Sequence, residues 1–201
     1  MTIAAILLAA GESTRMGRPK ALLPWRDATL VEYQVRELTA AGVERIAVVL
    51  GHAAGEVRPH VPDEAHMVVN EAYREGRASS LRAGAAALPD DADPILILGV
   101  DQPRPRDELR VLLAAHRKGG AAITVPVHDG RRGHPPVLAG DLLPELRAAS
   151  EEAEGLRGVL AAHQEAVREV EVSSAIVLLD LNTPEQYQQA LARYGAPSNS
   201  V

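Results

Sequence analysis

The chain contains no cysteine and no phenylalanine among its 201 residues. Without cysteine it can form no disulfide, no cysteine-ligated zinc site and no catalytic thiol. Aromatic residues make up only 2% of the sequence, so the hydrophobic core must be packed from Leu, Val, Ile and Ala. A stacking surface for single-stranded nucleic acid is therefore not expected.

Long hydrophobic runs are also missing. No apolar run approaches the roughly 20 residues that a membrane-spanning helix needs, and the first residues lack the basic segment of a secretory signal. We expect no membrane partner and predict a cytoplasmic protein. The 27 acidic and 21 basic residues give a formal net charge of −6, which disfavours nucleic acid as a partner. The length suits one domain, which we assign to residues 1–195, followed by a frayed, disordered tail at residues 196–201.

Short aliphatic runs alternate with segments of helical periodicity along the chain. Strands are predicted at residues 3–8, 45–50, 66–69, 95–98 and 122–127, and helices at residues 30–41, 80–88, 107–116 and 184–194. The first helix carries a possible capping box at Thr29 and Glu32 and a stop at Gly42, and Thr183 is the predicted cap of the last helix. This alternation predicts an α/β fold with three layers, α/β/α, around a mostly parallel sheet.

The segment after the first predicted strand has an unusual distribution of charge. Residues 7–24 read LLAAGESTRMGRPKALLP, with three cations and no acid between Arg15 and Lys20. Gly11 and Gly17 relieve backbone strain and let main-chain N–H groups turn toward an anion. The spacing matches neither the P-loop nor the dinucleotide fingerprint, which disfavours a P-loop ATPase and an NAD enzyme. We interpret the segment as a phosphate-binding loop.

Polar residues also follow other predicted strands. In an open parallel sheet, ligands bind beyond the carboxyl ends of the strands. Asp101 follows the fourth predicted strand, where a single carboxylate can hold Mg²⁺ against substrate phosphates; an Asp that starts a turn before proline is the structural alternative. Asn70 ends the third predicted strand and could bind a base edge or a sugar hydroxyl, although by itself it is also typical of a turn.

Further short motifs follow the loop in a fixed order: Gly51-His52, Asn70-Glu71, the serine-containing segment 76–84, Asp101-Gln102-Pro103, Gly133-His134-Pro135 and Asn182-Thr183-Pro184-Glu185. Together with residues 8–24 they resemble the signature of the MobA-like nucleotidyltransferases, and within that family the molybdenum cofactor cytidylyltransferases. The ordered set spans most of the chain and is more specific than any one motif. The resemblance implies a Rossmann-like nucleotidyltransferase fold of the GT-A-like type.

The resemblance implies an enzyme that transfers a nucleoside monophosphate from an NTP to a phosphate-bearing acceptor with Mg²⁺ and releases pyrophosphate. For the cytidylyltransferase branch the substrates are CTP and the molybdenum cofactor (molybdopterin), and a molybdoenzyme of the xanthine dehydrogenase or aldehyde oxidase type is the partner. Ala10 stands at the position where guanylyltransferases have Gly, which favours CTP as the nucleotide. Asn182, in contrast, resembles the residue of the guanylyltransferase branch at its position. Two alternatives remain: another acceptor, such as a sugar phosphate, alditol phosphate or phospholactate, and a non-catalytic accessory protein for molybdoenzyme maturation.

The resemblance also implies roles for individual residues. Arg15, Lys20 and Asp101 form the catalytic set, because phosphoryl-type transfer needs charge neutralisation more than a covalent group. Metal ligation falls to Asp101 together with Asn182 or Asp180. His134 lies in a segment expected near the acceptor, and Arg77 adds a cation there. Nucleotide contacts are expected from Leu8, Ala9, Ala10, Gly11, Arg15, Lys20, Asn70, Ser80 and Asp101.

Overall fold

The computed structural model describes residues 1–195, so the predicted tail at residues 196–201 lies outside the described residues. The strands are β1 Thr2–Ala9, β2 Pro24–Trp25, β3 Ala28–Thr29, β4 Arg45–Leu50, β5 His66–Val69, β6 Ala92–Gly99, β7 Ile123–His128, β8 Arg131–Arg132, β9 Val137–Leu138 and β10 Val167–Glu171. The helices are α1 Leu30–Ala40, α2 Ala54–Val57, α3 Arg77–Ala86, α4 Arg106–Gly119, α5 Leu143–Arg147, α6 Leu156–Ala162 and α7 Pro184–Tyr194. None of the helices in this range is long and apolar enough to cross a membrane.

One sheet organises the fold. Its strands lie in the order β10-β7-β9-β6-β1-β4-β5, with β8 paired to β7. The pairs of β1 with β4, β1 with β6, β4 with β5 and β7 with β10 are parallel. The short strand β9 runs antiparallel to both β6 and β7. The predicted mostly parallel sheet is confirmed.

Helices cover both faces of this sheet. On one face, Ala5 and Leu7 of β1 pack in a cluster with the apolar sides of α1, α4 and α7. On the other face, Ala4 and Ile6 pack with α3, α5 and α6. Because alternate side chains of a strand point to opposite faces, β1 is buried on both sides and reads as a continuous apolar run. The predicted three-layer α/β/α arrangement is thereby confirmed.

Two predicted helix starts are confirmed by their caps. The Thr29 Oγ1 accepts a hydrogen bond from the Glu32 backbone N–H at 3.4 Å, and a Glu32 carboxylate oxygen accepts one from the Thr29 N–H at 2.7 Å. This reciprocal capping box satisfies two N–H groups that the first turn of α1 leaves without partners. At α7, Thr183 Oγ1 accepts from the Gln186 N–H at 3.3 Å.

Several elements differ from the prediction. Helix α3 begins at Arg77 rather than Ser80, and α5 and α6 were not predicted. The strand β10 was missed because its sequence, Val-Arg-Glu-Val-Glu, is mostly exposed at the sheet edge and lacks an apolar face. Charged residues on an edge strand oppose pairing with other chains and weaken the periodic signal.

The order of the strands places the candidate site. From β1 the chain adds β4 and β5 on one side, and β6 then pairs on the other side of β1. Ligand sites of open α/β sheets lie at such a reversal, beyond the carboxyl ends of the strands. Leu8 of β1 pairs with Gly99 of β6, so the loop after β1 and the segment containing Asp101 leave the sheet side by side.

Gly84 of α3 tests how closely this helix packs on the sheet. A Cβ at this position would lie 2.5 Å from Ile6 Cγ2 and 2.9 Å from Val49 Cγ2. We expect Gly84→Ala to lower the free energy of unfolding by about 1–3 kcal/mol through overpacking, as measured by urea denaturation. The control is Gly55→Ala in α2, where a Cβ would meet nothing within 4 Å. We expect this substitution to leave the free energy of unfolding unchanged. Equal stability of the two variants would contradict this account of the packing.

Candidate active site

A cavity of about 480 Å³ opens at the carboxyl ends of β1, β4 and β6. This volume lies within the range of small-molecule sites. The loop after β1 forms one wall, the start of α3 forms another, and the segment after β6 closes the base. The lining residues are Leu8, Ala9, Ala10, Gly11, Glu12, Ser13, Thr14, Arg15, Met16, Pro19, Lys20, Ala21, His52, Tyr73, Arg74, Gly76, Arg77, Ser80, Gly99, Val100, Asp101 and Asn182.

The loop after β1 is shaped by two residues in the left-handed region, Ser13 with φ 55° and Gly17 with φ 66°. Ser13 also accepts a hydrogen bond at Oγ from the Lys20 backbone N–H at 3.1 Å, which closes the loop. The expectation that Gly11 relieves backbone strain is wrong, because Gly11 does not have a positive φ. A Cβ at Gly11 would meet nothing within 4 Å, so this glycine leaves open space on the cavity side.

Lys20 makes the central polar contact of the cavity. Its Nζ lies 2.6 Å from Asp101 Oδ2 and 2.9 Å from Asn182 Oδ1. The Lys20 side chain is 14% exposed and the Asp101 side chain 22% exposed, so the ion pair is only partly screened by solvent. The structure thus brings three predicted site residues from distant parts of the sequence to one point.

Other cations surround this point. The side chains of Arg15 and Arg77 line the cavity, are exposed, and make no ion pair or hydrogen bond with another residue in the range 1–195. Arg74 lies 3.9 Å from Glu12, with both side chains largely open to solvent. An acidic chain therefore concentrates positive charge at one cavity, which favours an anionic ligand such as a phosphate.

Asn70 lies behind the cavity wall rather than in the lining. Its amide donates hydrogen bonds to Ser79 Oγ at 2.9 Å and Ser80 Oγ at 3.0 Å, and its Oδ1 accepts from the Ala72 N–H at 3.1 Å. These contacts use both amide hydrogens. The structure places Ser80 in the lining with Asn70 holding it in position.

Two further predicted residues lie outside the lining. Asp180 accepts a hydrogen bond at Oδ1 from Gln102 Nε2 at 2.7 Å. His134 is fixed through its backbone, because its N–H donates to the Val177 carbonyl at 2.8 Å and its own carbonyl accepts from Arg104. Burial lowers the pKa of the His134 imidazole, which favours its neutral form near pH 7.

The side-chain oxygen atoms at the cavity base suit a divalent cation. Asp101 Oδ2 and Asn182 Oδ1 already converge on one cationic group, the Lys20 ammonium. Mg²⁺ prefers oxygen ligands and is usually held by one or two carboxylates together with water and substrate phosphates. No group of three or more His, Asp or Glu residues that could form a metal cage occurs within residues 1–195. The arrangement fits a metal whose remaining ligands come from a substrate.

Sequence reasoning missed the groups that support the segment after β6. Arg104 is fully buried and donates from Nε to the His134 carbonyl at 2.8 Å and from Nη2 to the carbonyls of Val177 at 2.9 Å and Leu179 at 3.0 Å. Burial lowers the pKa of Arg104 to about 10, so the guanidinium stays charged at neutral pH. The two prolines that flank Arg104 were the only signal in the sequence that this arginine is not an ordinary surface residue.

The side chain of Gln34 in α1 binds the backbone of the same segment. Its side-chain amide donates to the carbonyls of Gly99 at 3.2 Å and Gln102 at 2.7 Å, and its Oε1 accepts from the Arg104 N–H at 3.2 Å. The amide of Gln34 is fully buried. A buried amide with all these contacts holds the backbone on both sides of Asp101.

Close packing forms the wall next to the loop. A Cβ at Gly51 would lie 2.6 Å from Tyr73 Cβ and 2.9 Å from Ala10 Cβ, so only glycine fits between them. The ring centroids of His52 and Tyr73 are 6.1 Å apart, at an interplanar angle of 60°. Ala10, which is only 6% exposed, is part of this wall.

We expect Arg104→Lys to lower the free energy of unfolding by about 2–3 kcal/mol, because lysine keeps the charge but leaves buried carbonyls without donors. Urea denaturation measures the loss. The control is Arg147→Lys, since Arg147 also donates to backbone carbonyls, those of Ala85 and Leu88, but is 34% exposed. A cost for Arg104→Lys no larger than that of the control would contradict the supporting role of Arg104.

Comparison with known proteins is consistent with this geometry. A model of the MobA-like NTP transferase domain matches residues 5–170. Nicotine blue oxidoreductase of Paenarthrobacter nicotinovorans is 33% identical over 199 residues, which cover 94% of this chain and 96% of that protein. Molybdenum cofactor cytidylyltransferase of Escherichia coli (strain K12) is 25% identical over 191 residues, which cover 94% of this chain and 95% of that protein.

Two further comparisons extend the match. Bifunctional protein GlmU of Xanthobacter autotrophicus is 38% identical over 155 residues, covering 71% of this chain, which spans only 33% of that protein's length. The structure of Rv0371c from Mycobacterium tuberculosis H37Rv superposes with a TM-score of 0.82 at 30% identity, covering 96% of this chain and 98% of that chain. A complex of Rv0371c with manganese gives a TM-score of 0.79 at 29% identity, covering 96% and 99% of the two chains. The chain belongs to the MobA-like NTP transferase family of nucleotidyltransferases.

Proposed function

We propose that this protein is a Mg²⁺-dependent cytidylyltransferase that transfers CMP from CTP to the phosphate of the molybdenum cofactor and releases pyrophosphate. The observation that carries the proposal is the convergence of Lys20, Asp101 and Asn182 at the base of a cavity whose walls bear the exposed Arg15 and Arg77. A relative from Escherichia coli that is matched over 95% of its length bears the name of this activity. The manganese complex of a structural relative supports dependence on a divalent metal.

The proposed reaction is an in-line displacement at the α-phosphorus of CTP. An oxygen of the acceptor phosphate forms a bond to the α-phosphorus, the α–β phosphoanhydride bond breaks, and pyrophosphate leaves with the electron pair. Asp101 and Asn182 would hold Mg²⁺, which supplies charge neutralisation at phosphate oxygens when it is bound. Arg15 and Lys20 neutralise the charge that grows on pyrophosphate, a contribution made chiefly in the transition state.

The other cavity residues fit the two substrates. We assign nucleotide contacts to Leu8, Ala9, Ala10, Gly11 and Ser80, which line the side of the cavity nearest β1 and α3. We assign the acceptor phosphate to Arg77, an exposed cation at the start of α3 that lines the same cavity. The roles of His134 and Asp180 at the acceptor and the metal remain predictions, as do the molybdoenzyme partner and the cytoplasmic location.

Ala10 supports the choice of CTP. Ala10 lines the cavity, is 6% exposed, and has its Cβ beside Gly51. The wall is therefore narrower than it would be with glycine at the same position, which favours a pyrimidine over a purine. A difference of one methyl group discriminates between ligands by only about 1–3 kcal/mol. We therefore expect GTP and ATP to react more slowly than CTP rather than not at all.

A coupled assay of pyrophosphate release tests the proposal. With Mg²⁺ and purified molybdenum cofactor, we expect turnover with CTP, slower turnover with GTP and ATP, and none after removal of the metal by EDTA. Mass spectrometry of the product should show the cofactor increased in mass by one cytidylyl group.

Four results would contradict the proposal, and each identifies an alternative. Preference for GTP would make the protein a guanylyltransferase, and turnover with a sugar phosphate but not with the cofactor would identify another acceptor. Binding of the cofactor without pyrophosphate release would support an accessory role. Redox turnover of nicotine blue would support the activity named for the Paenarthrobacter relative.

We expect Lys20→Ala and Asp101→Ala to fold but to lose turnover by about 100-fold or more, comparable to the loss of one oxyanion-hole donor. Steady-state kinetics measure the loss, and circular dichroism checks the fold. The matched control is Lys118→Ala, because Lys118 is the only other lysine and is exposed at the end of α4. Near-normal turnover by either cavity variant would remove that residue from the catalytic set.

A further inference from the structure

The ammonium of Lys20 occupies the position between the two oxygen atoms that suit a divalent cation. Nζ lies 2.6 Å from Asp101 Oδ2 and 2.9 Å from Asn182 Oδ1. A metal ion bound by both oxygens would come into contact with this ammonium, and two cations repel strongly at such a distance. Lys20 and a divalent metal therefore compete for the same pair of oxygen atoms.

We propose that Lys20 serves as an internal counter-cation that blocks the metal position until a triphosphate draws its side chain away. In the absence of nucleotide, the ammonium neutralises Asp101 and excludes the metal. When the triphosphate enters, its charge attracts the ammonium, and the two released oxygens become available to a metal that the phosphates also bind. Nucleotide and metal then bind with positive coupling. The inference rests on the proposed function for the identity of the triphosphate.

The backbone of Lys20 is suited to this exchange because it can stay fixed while the side chain moves. The Lys20 N–H donates to Ser13 Oγ at 3.1 Å, and the next residue, Ala21, is 3% exposed within the core. A lysine carries a flexible stem of four carbons and a compact charge, so its head can change partners without movement of the main chain. An arginine would bind the same oxygens in a more fixed geometry.

A triphosphate bound in the cavity would lie within reach of the Lys20 ammonium, because Lys20 is itself a lining residue. Lys20, Arg15 and Arg77 line the same cavity, and the two arginines are unpaired within residues 1–195. The backbones of Asp101 and Asn182 are held by other contacts: the Asn182 N–H donates to Gln186 Oε1 at 2.9 Å, and the Leu181 N–H donates to the Asp101 carbonyl at 2.9 Å. The exchange therefore needs only one side chain to move.

Weak metal binding without nucleotide would also follow from ligand number alone, because the described part of the chain offers only a small set of protein ligands at this point. The two explanations differ in their prediction for a variant that lacks the ammonium. If ligand number alone limits affinity, removal of Lys20 changes little. If Lys20 competes, its removal tightens metal binding even though it slows turnover.

The experiment measures Mn²⁺ binding to the full-length protein by electron paramagnetic resonance, with no nucleotide present. We expect Lys20→Met to tighten Mn²⁺ binding by roughly tenfold. The control is Arg15→Met, which removes the same charge from the same cavity without a contact to Asp101, and we expect a change of less than about threefold. The double variant Lys20→Met with Asp101→Asn should lose the added affinity, since the competition acts through the Asp101 carboxylate.

Unchanged or weaker Mn²⁺ binding by a folded Lys20→Met variant would overturn the proposal. Equal tightening by Arg15→Met would also overturn it, because the effect would then come from the overall charge of the cavity. Mn²⁺ is the only ligand used, so the result does not depend on whether CTP or the molybdenum cofactor is the substrate. Failure of the pyrophosphate assay and failure of this test can therefore be told apart.

Discussion

The contact between Lys20 and Asp101 joins two residues that are 81 positions apart in the sequence, and the site depends on it. The contact exists because β1 and β6 are parallel neighbours whose carboxyl ends lie at the same edge of the sheet. β1 is buried on both faces, so its register is fixed by the two hydrophobic cores. The geometry of a polar site is thus set by apolar packing on either side of one strand.

Two buried polar side chains, Arg104 and Gln34, position the segment between the sheet and the cavity. Arg104 ties the segment after β6 to the carbonyls of His134, Val177 and Leu179, and Gln34 holds the same segment from α1. Buried polar groups stabilise a unique arrangement only when all of them have partners. Within residues 1–195, Arg104 and Gln34 each have several partners, so the backbone on both sides of Asp101 is fixed by protein contacts.

Much of the fold could be predicted from the sequence, because strands buried on both faces give uninterrupted apolar runs. The edge strand β10 could not be predicted, since its exposed charged residues leave no regular apolar pattern in the sequence. Within the site, a cationic loop and a strand-end carboxylate indicated Lys20 and Asp101, and the structure places both in the cavity. A polar residue at a strand end can equally fix a loop, as Asn70 does. Arg104 could not be predicted, because its partners are backbone carbonyls from separate segments.

The central claim is that one site at the reversal of the sheet binds both the triphosphate and the divalent metal. A crystal structure of the protein with CTP and Mn²⁺, with anomalous scattering used to locate the metal, tests it most directly. The account predicts an anomalous peak at Asp101 and Asn182, the triphosphate along the loop of residues 10–20, and the Lys20 ammonium moved onto a phosphate. A nucleotide bound elsewhere, or a metal distant from Asp101, would contradict it.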